Sequence, residues 1–401
     1  NIRHDLLVDA IFGTGFSGEP RGIAREVMEE INRLPIPVLS VDIPSGVSAD
    51  DGAVCSVAVR ADVTVTFAAY KRGLLLYPGA DYAGEIVLAD ISIPQYIMEQ
   101  QNVTVDLLDH TAACKLMPKR SAYSQKGDYG KVLIIGGSGG MSGAIAMAAQ
   151  SALKCGAGLV LAGVPQSINP ILEQKLTEPM TISLPEQDGK LSRDAIPAIL
   201  EKLSWCDSVL IGPGMGQSED TAEILAQIFA KASVPVVVDA DALNLLSRHM
   251  DYLDTCSAGL VLTPHSVEFS RISGLSLSEI EASRLTVSET FAQEHGVTLI
   301  LKGPHTVITA PDGGQRVNTT GNSGMASGGS GDVLAGMIAA FLARGMQEVD
   351  AAALAVFLHG LAGDLAAKKL GEDSMSATDL IAEIPAAIKN LILPLENQHK
   401  I

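Results

Sequence analysis

Short apolar runs of Val, Leu and Ile recur along this chain, and each is closed by glycine or a polar turn. Residues 132–135 run into Gly136, residues 209–211 into G-P-G-M-G, residues 260–262 into T-P-H-S-V-E, and residues 298–301 into K-G-P-H-T. A strand covered on both faces needs no polar alternation, so runs of this length read as buried strands. Small-residue helical spacing over residues 144–155 and the closing segments 351–368 and 376–391 supply helices. The rhythm predicts right-handed βαβ units and a parallel sheet in an α/β layered fold. Ligands of such sheets sit beyond the carboxyl ends of the strands, where these glycine turns fall. Aromatic residues are only 4% against 47% hydrophobic, so aliphatic side chains must fill the core.

The densest turn is N-T-T-G-N-S-G-M-A-S-G-G-S-G-D-V-L-A-G, residues 318–336. Leu334, Met337, Ile338 and Phe341 follow at helical spacing, which starts a helix near Asp332. A helix start presents unpaired N–H groups and the positive end of its dipole, and glycines let the backbone close around an anion. Such a site suits phosphate. Asp332 is out of place beside phosphate oxygens unless it acts as a base on a hydroxyl that attacks phosphorus. The same spacing also fits a plain glycine turn with Asp332 as the helix cap.

The net charge of −18 argues against nucleic acid or an anionic membrane surface as partner. Five scattered cysteines without CxxC spacing read as reduced thiols of a cytoplasmic protein. Residues 132–153 carry no charge and are long enough to span a bilayer, but their glycines and serines fit a strand, a turn and a helix better.

The front of the chain repeats the pattern on a smaller scale. Residues 6–12 form a strand ending in the loop Gly13, Thr14, Gly15, Phe16, Ser17, Gly18, Glu19; a helix follows over 23–34, then strands over 38–43, 63–67 and 85–91. Asp9 and Asp42 stand at strand ends, where oxygen ligands suit a hard cation. The chain opens at Asn1 and this block begins directly on a strand, so the sheet is expected to continue in sequence ahead of it. A change of character between 94 and 122 places a boundary near residues 102–111, giving units 1–105 and 106–401.

Lys302 at a strand end could neutralise phosphate, and His265 in T-P-H could touch a ligand; each fits a plain structural role equally well. His359, among apolar neighbours, reads as core or as support to a site. Neither a GxxxxGK[ST] loop nor a full GxGxxG followed by a ribose-binding acid fits the chain well, which argues against an ordinary P-loop enzyme and an ordinary dinucleotide dehydrogenase. The histidines lack metal-ligand spacing.

K-G-D-Y-G-K, the loop at 136–143, G-P-G-M-G, V-V-D-A-D-A-L-N, L-T-P-H-S-V-E, L-K-G-P-H-T and the 318–336 motif, in that order, resemble the ADP- or ATP-dependent NAD(P)H-hydrate dehydratases of the ribokinase-like superfamily. V-D-A-I-F-G-T-G-F and V-D-I-P-S-G resemble the second half of the Rossmann-like NAD(P)H-hydrate epimerase domain that often precedes them. The resemblance implies a three-layer α/β/α unit behind a partial epimerase domain. It implies that Asp332 activates the hydrate's hydroxyl, that Gly331 holds the transferred phosphate, and that Lys302, Gly303, Pro304, His305 and Thr306 contact the adenine nucleotide. Ala144, Gly214 and His265 would line the hydrated nicotinamide. In front, Asp9 and Ser45 would bind K+, while residues 13–19 and Asp42 hold the same substrate, with Asp42 as acid/base. It further implies ADP (or ATP) carrying Mg2+, and a homo-oligomer. A small-molecule kinase of the same superfamily is the rival reading, because G-S-G-D fits both.

Overall fold

The computed structural model describes residues 5–101 and 103–393; Asn102, where the predicted boundary region begins, lies outside them, as do residues 1–4 at the start of the chain. The chain divides into two units, the first 5–107 with 281–283, the second 108–280 with 284–393.

In the first unit the apolar runs form β1 (Leu7–Asp9), β2 (Val38–Val41), β3 (Val63–Phe67) and β4 (Glu85–Ala89). They pair in the order β1-β2-β3-β4, all parallel. The helix Gly22–Ile31 makes the crossover between β1 and β2, burying Met28 against Val38 and Val59. Asp9 and Asp42 therefore stand at the carboxyl ends of neighbouring strands.

After β5 (Val105–Leu108), which straddles the division between the units, the second unit is built on β6 (Lys131–Ile135), β7 (Leu159–Pro165), β8 (Met180–Leu184), the small hairpin β9 (Glu186–Gln187) and β10 (Lys190–Leu191), β11 (Ser208–Ile211), β12 (Val236–Val238), β13 (Leu260–Leu262), β14 (Thr298–Leu301), β15 (Val307–Thr309) and β16 (Gln315–Asn318). The large sheet has the order β5-β16-β15-β14-β13-β12-β11-β6-β7-β8. From β14 to β8 neighbours run parallel, as the βαβ rhythm predicts. β15 and β16 depart from the expectation: β15 folds back antiparallel on β14, and β16 antiparallel on β15. The reason is the two short turns, K-G-P-H-T at 302–306 and P-D-G-G at 311–314, each too short for a crossover helix.

Alternation along the strands shows why the fold has three layers. Val132, Ile134, Val160, Ala162, Leu210, Val237, Val261 and Ile300 join one core cluster with the helices Ser142–Lys154, Ser330–Ala343, Glu348–Leu370 and Ala377–Ile392. Their strand neighbours Leu133, Ile135, Val209, Ile211, Val236 and Val238 point to the opposite face and are buried as well. Both faces are thus covered, the condition for a mainly parallel sheet. The helix Glu348–Leu370 is long and apolar enough to cross a membrane, yet most of it lies in this core.

Small residues set how closely two of these helices approach. A Cβ on Gly336 would meet Ala148 O at 2.1 Å, and Ser151 Oγ donates to Val333 O at 2.9 Å. The alanine-rich helix at 142–154 thus packs tightly on the helix that follows the glycine loop.

Candidate active site

That helix begins at Ser330, two residues before Asp332, and its cap position is Gly329 in the left-handed region at φ 98°. That conformation demands glycine, and a Cβ there would also meet Met147 Cε at 2.4 Å, so the methionine would have to move. Asp332 is therefore the third helical residue and not the cap. Gly331 and Asp332 lie in the first turn, whose N–H groups have no acceptor within the helix.

The sheet order brings the carboxyl ends of β6, β11, β12, β13 and β14 side by side, and the predicted residues of this unit gather there. Lys302 follows β14. Its Nζ donates to Asp239 Oδ1 at 3.0 Å and stands 3.8 Å from Glu268 Oε2. Asp239, at the end of β12, also accepts from Thr263 Oγ1 at 2.7 Å. A Cβ added to Gly331 would lie 3.3 Å from Lys302 Nζ, so the ammonium sits directly over the first turn. Burial opposes the charge on Lys302, but Asp239 and Glu268 outweigh it and hold the ammonium protonated. Burial first, then the charge of Asp239, pushes Asp332 up to about 7, with Lys302 pulling the other way. Its side chain keeps partial access to solvent. Glu268 is likewise raised by burial, against the pull of Lys302.

His265 has a structural task. Its Nδ1 accepts from the N–H groups of Val267 (3.1 Å) and Glu268 (3.3 Å), while Glu268 Oε2 accepts from His265 N at 2.9 Å. This reciprocal cap starts the helix Ser266–Ser273 and leaves the ring half exposed. Burial and then Lys302 lower its pKa, keeping it neutral.

Gly303, Pro304, His305 and Thr306 form the turn between β14 and β15. Thr306 Oγ1 closes it by donating to Gly303 O at 3.0 Å, and Arg284 Nη2 grips Leu301 O at 2.9 Å and Lys302 O at 3.2 Å. On the other side of Asp239, Gly214 approaches Ala144: a Cβ on the glycine would lie 3.2 Å from the alanine's. Ser138 Oγ donates to Gly214 O at 2.8 Å, and Asp241 Oδ2 accepts from Gly216 N at 2.9 Å, so the two glycine loops are tied together.

Asp239, Glu268 and Arg284 are the members that sequence reading leaves out. The strand-end pattern marks the first and the capping pattern T-P-H-x-x-E the second; Arg284 carries no signal of its own, since it reads as a surface cation.

The first unit holds its own cluster. Asp9 is buried; its Oδ2 accepts from Ser40 Oγ (2.9 Å) and Ser45 N (2.8 Å), and its Oδ1 from Ser45 Oγ (2.6 Å). Asp42 has φ 69° and an ion pair with Lys71, which also donates to Thr66 Oγ1 at 3.1 Å and Phe67 O at 2.9 Å. Phe67 N donates to Asp42 Oδ1 at 3.0 Å. Of the loop 13–19, Phe16 stacks on Phe12 at 4.4 Å between centroids, while Gly13, Thr14, Gly15, Ser17, Gly18 and Glu19 are exposed. The predicted residues thus form two clusters, one in each unit. Among the described residues no group of three or more His, Cys, Asp or Glu could cage a metal ion.

Comparison with known proteins gives the same picture. A family model described as NAD(P)H-hydrate dehydratase matches residues 132–386, and one described as YjeF-related protein N-terminus matches residues 1–73. The bifunctional NAD(P)H-hydrate repair enzyme Nnr of Moorella thermoacetica is 45% identical over 388 residues, covering 96% of this chain and 73% of that protein. The Escherichia coli enzyme of the same name is 37% identical over 95% of this chain and 71% of its own length. Among solved structures, the ADP/ATP-dependent NAD(P)H-hydrate dehydratase of Bacillus subtilis, co-crystallised with ATP and Mg2+, superposes with a TM-score of 0.62 at 28% identity over 72% of this chain and 99% of that one. The ribokinase-like layer order, the glycine loop that opens the helix Ser330–Ala343 and the family matches agree, and the chain belongs to the NAD(P)H-hydrate repair enzyme family, with its dehydratase module over residues 132–386.

Proposed function

We propose that the second unit dehydrates NAD(P)H hydrate to NAD(P)H at the expense of ADP or ATP. The observation that carries this reading is the half-buried Asp332 in the first turn of a helix, with the Lys302 ammonium over Gly331 beside it. A carboxyl group near pH 7 is matched to general-base work, and a lysine with first-turn amides is matched to phosphate.

Asp332 takes the proton of the ring hydroxyl as the hydroxyl oxygen attacks the terminal phosphorus. The bond from phosphorus to the shortened nucleotide breaks. Lys302 and the amides around Gly331 hold the charge on the moving phosphoryl group, which supplies most of the acceleration. The ring nitrogen's lone pair then expels phosphate, and loss of a proton from the adjoining ring carbon restores the double bond. The products are NAD(P)H, phosphate and, from ADP, AMP. Lys302, Gly303, Pro304, His305 and Thr306 hold the adenine nucleotide; Ala144, Gly214 and His265 line the nicotinamide side. Mg2+ would neutralise the nucleotide's phosphates and, with no protein cage for it among the described residues, would be held mainly by phosphate and water.

The first unit would epimerise the two hydrate forms, with Asp42 as acid/base, residues 13–19 against the nucleotide and K+ at Asp9 and Ser45. The all-oxygen donor pair suits a hard cation, although both Asp9 oxygens already accept hydrogen bonds. We further propose a domain boundary in the sequence between residues 105 and 106, a homo-oligomeric assembly and a cytoplasmic location.

The test is to incubate the protein with NADH hydrate and ADP or ATP, following reduced-nicotinamide absorbance and released phosphate together. One phosphate per restored NADH is expected. Flat absorbance, with nucleotide spent on a different alcohol, would make the protein a kinase.

A further inference from the structure

The glycine loop is gripped from behind by the helix Glu348–Leu370, which the mechanism above does not use. Thr320 Oγ1 donates to Phe357 O at 3.0 Å, Asp364 accepts from Gly321 N at 3.0 Å and from Asn322 Nδ2 at 2.9 Å, and His359 Nε2 lies 3.0 Å from Ser330 O and 3.3 Å from Ser330 Oγ. The fit is close: a Cβ on Gly360 would meet Thr320 Oγ1 at 2.1 Å, and one on Gly363 would meet Met325 Sδ at 2.3 Å.

The His359 contact differs in kind from the others. A carbonyl oxygen only accepts, so the shorter contact is a hydrogen bond only when Nε2 carries the proton, and Ser330 Oγ is then a second acceptor. The ring is buried, and burial pushes its pKa down to about 4 against the pull of the Ser330 carbonyl, so the donor is a neutral imidazole at working pH. The accepting carbonyl belongs to the peptide whose N–H is that of Gly331. Hydrogen bonds in a chain polarise one another, so a donor on the oxygen of a peptide strengthens the N–H at its other end.

We propose that His359 is a positioning residue for phosphoryl transfer, donating Nε2–H to Ser330 O and thereby aiming and polarising the Gly331 N–H toward the moving phosphoryl group. The inference rests on the dehydratase reading for its catalytic part, while the hydrogen bond and tautomer stand apart from it. Asp364 accepts hydrogen bonds from Gly321 and Asn322, whereas His359 meets Ser330, so the two residues act on different segments of the loop.

Two measurements test this. In the 15N spectrum of histidine-labelled protein, the signal that vanishes in His359→Gln must be that of a neutral Nε2–H imidazole, unchanged between pH 8 and pH 6. An Nδ1–H tautomer or an imidazolium overturns the proposal whatever the enzyme's activity. In NADH hydrate turnover, His359→Leu should lower kcat by roughly 10- to 100-fold, below the full loss of an oxyanion donor, while the Kd for ADP changes less than about threefold. His359→Gln, whose amide N–H can reach the same carbonyl, should recover most of the rate. A His359→Gln variant as slow as His359→Leu, or a loss of ADP affinity in step with kcat, reduces His359 to a packing residue. If wild-type protein turns over no hydrate, the dehydratase reading fails and the nitrogen spectrum still decides the hydrogen bond.

Discussion

Replacing Asp332 by asparagine should make the protein more stable as it makes it inactive, and the gain should depend on pH. An isolated aspartate titrates near 3.8 and Asp332 near 7, so the folded state binds its proton more tightly than the unfolded chain. A group raised in this way adds stability in full below the unfolded value and loses it as pH climbs through the folded one. At pH 8 both states are ionised and the wild type bears the cost of a buried charge. At pH 5 the folded aspartate is protonated and most of that cost is gone. Two pH units below the folded value, at about 1.4 kcal/mol each, give roughly 3 kcal/mol between pH 8 and pH 5. Asp239, Glu268 and Lys302 share the titration and solvent reaches the carboxyl, so about 1–3 kcal/mol is the expected size. At about 2 °C per kcal/mol for a unit of this size, the Tm of the asparagine variant should exceed wild type by several degrees at pH 8, and the gap should narrow by about 2–6 °C at pH 5. Calorimetry at both pH values gives the answer. Parallel Tm–pH curves for the two proteins would refute the buried, raised carboxyl.

The same group sets the rate profile: kcat/KM for hydrate should rise through pH 7, because the base must be ionised, and a profile flat from pH 6 to 8 would count against it. Lys302→Met leaves Asp239 and Glu268 buried without their cation, so a loss of about 3 kcal/mol in stability is expected by denaturant titration, with nucleotide affinity falling at least tenfold by calorimetric binding. Gly329→Ala forces a Cβ into Met147 at a positive φ and should cost about 1–3 kcal/mol in the same titration, while Gly328→Ala, with open space around it, should cost under about 1.

Much of this site was legible in the chain because βα turns carry their ligand residues at the ends of apolar runs. The pattern locates Gly136, Gly214, His265, Lys302 and Asp332 on one predicted edge, but it cannot say which edges touch. Lys302 and Asp239 are 63 residues apart, and only the order β14-β13-β12 brings them together. The antiparallel return of β16 is hard to read because Gln315–Asn318 is short and mixed in polarity, although P-D-G-G ahead of it is a turn signal. His265 reads from sequence as a ligand contact or a structural histidine alike; the structure gives its Nδ1 a helix-capping role, which T-P-H-x-x-E also fits as a capping pattern with glutamate at the third helical position. His359 reads as core or as support to a site, and sequence does not choose between them because its partner, a main-chain carbonyl at 330, leaves no mark in side-chain identity.

The claim beneath all of this is that the Asp332 carboxylate activates the hydroxyl that takes the phosphoryl group. The direct measurement is single-turnover dehydration of NADH hydrate by Asp332→Asn, with ADP binding determined on the same sample. A rate lower by about 10²–10⁴, the usual worth of a general base, with ADP bound as tightly as by wild type, is the predicted result. Turnover within about tenfold of wild type would contradict it.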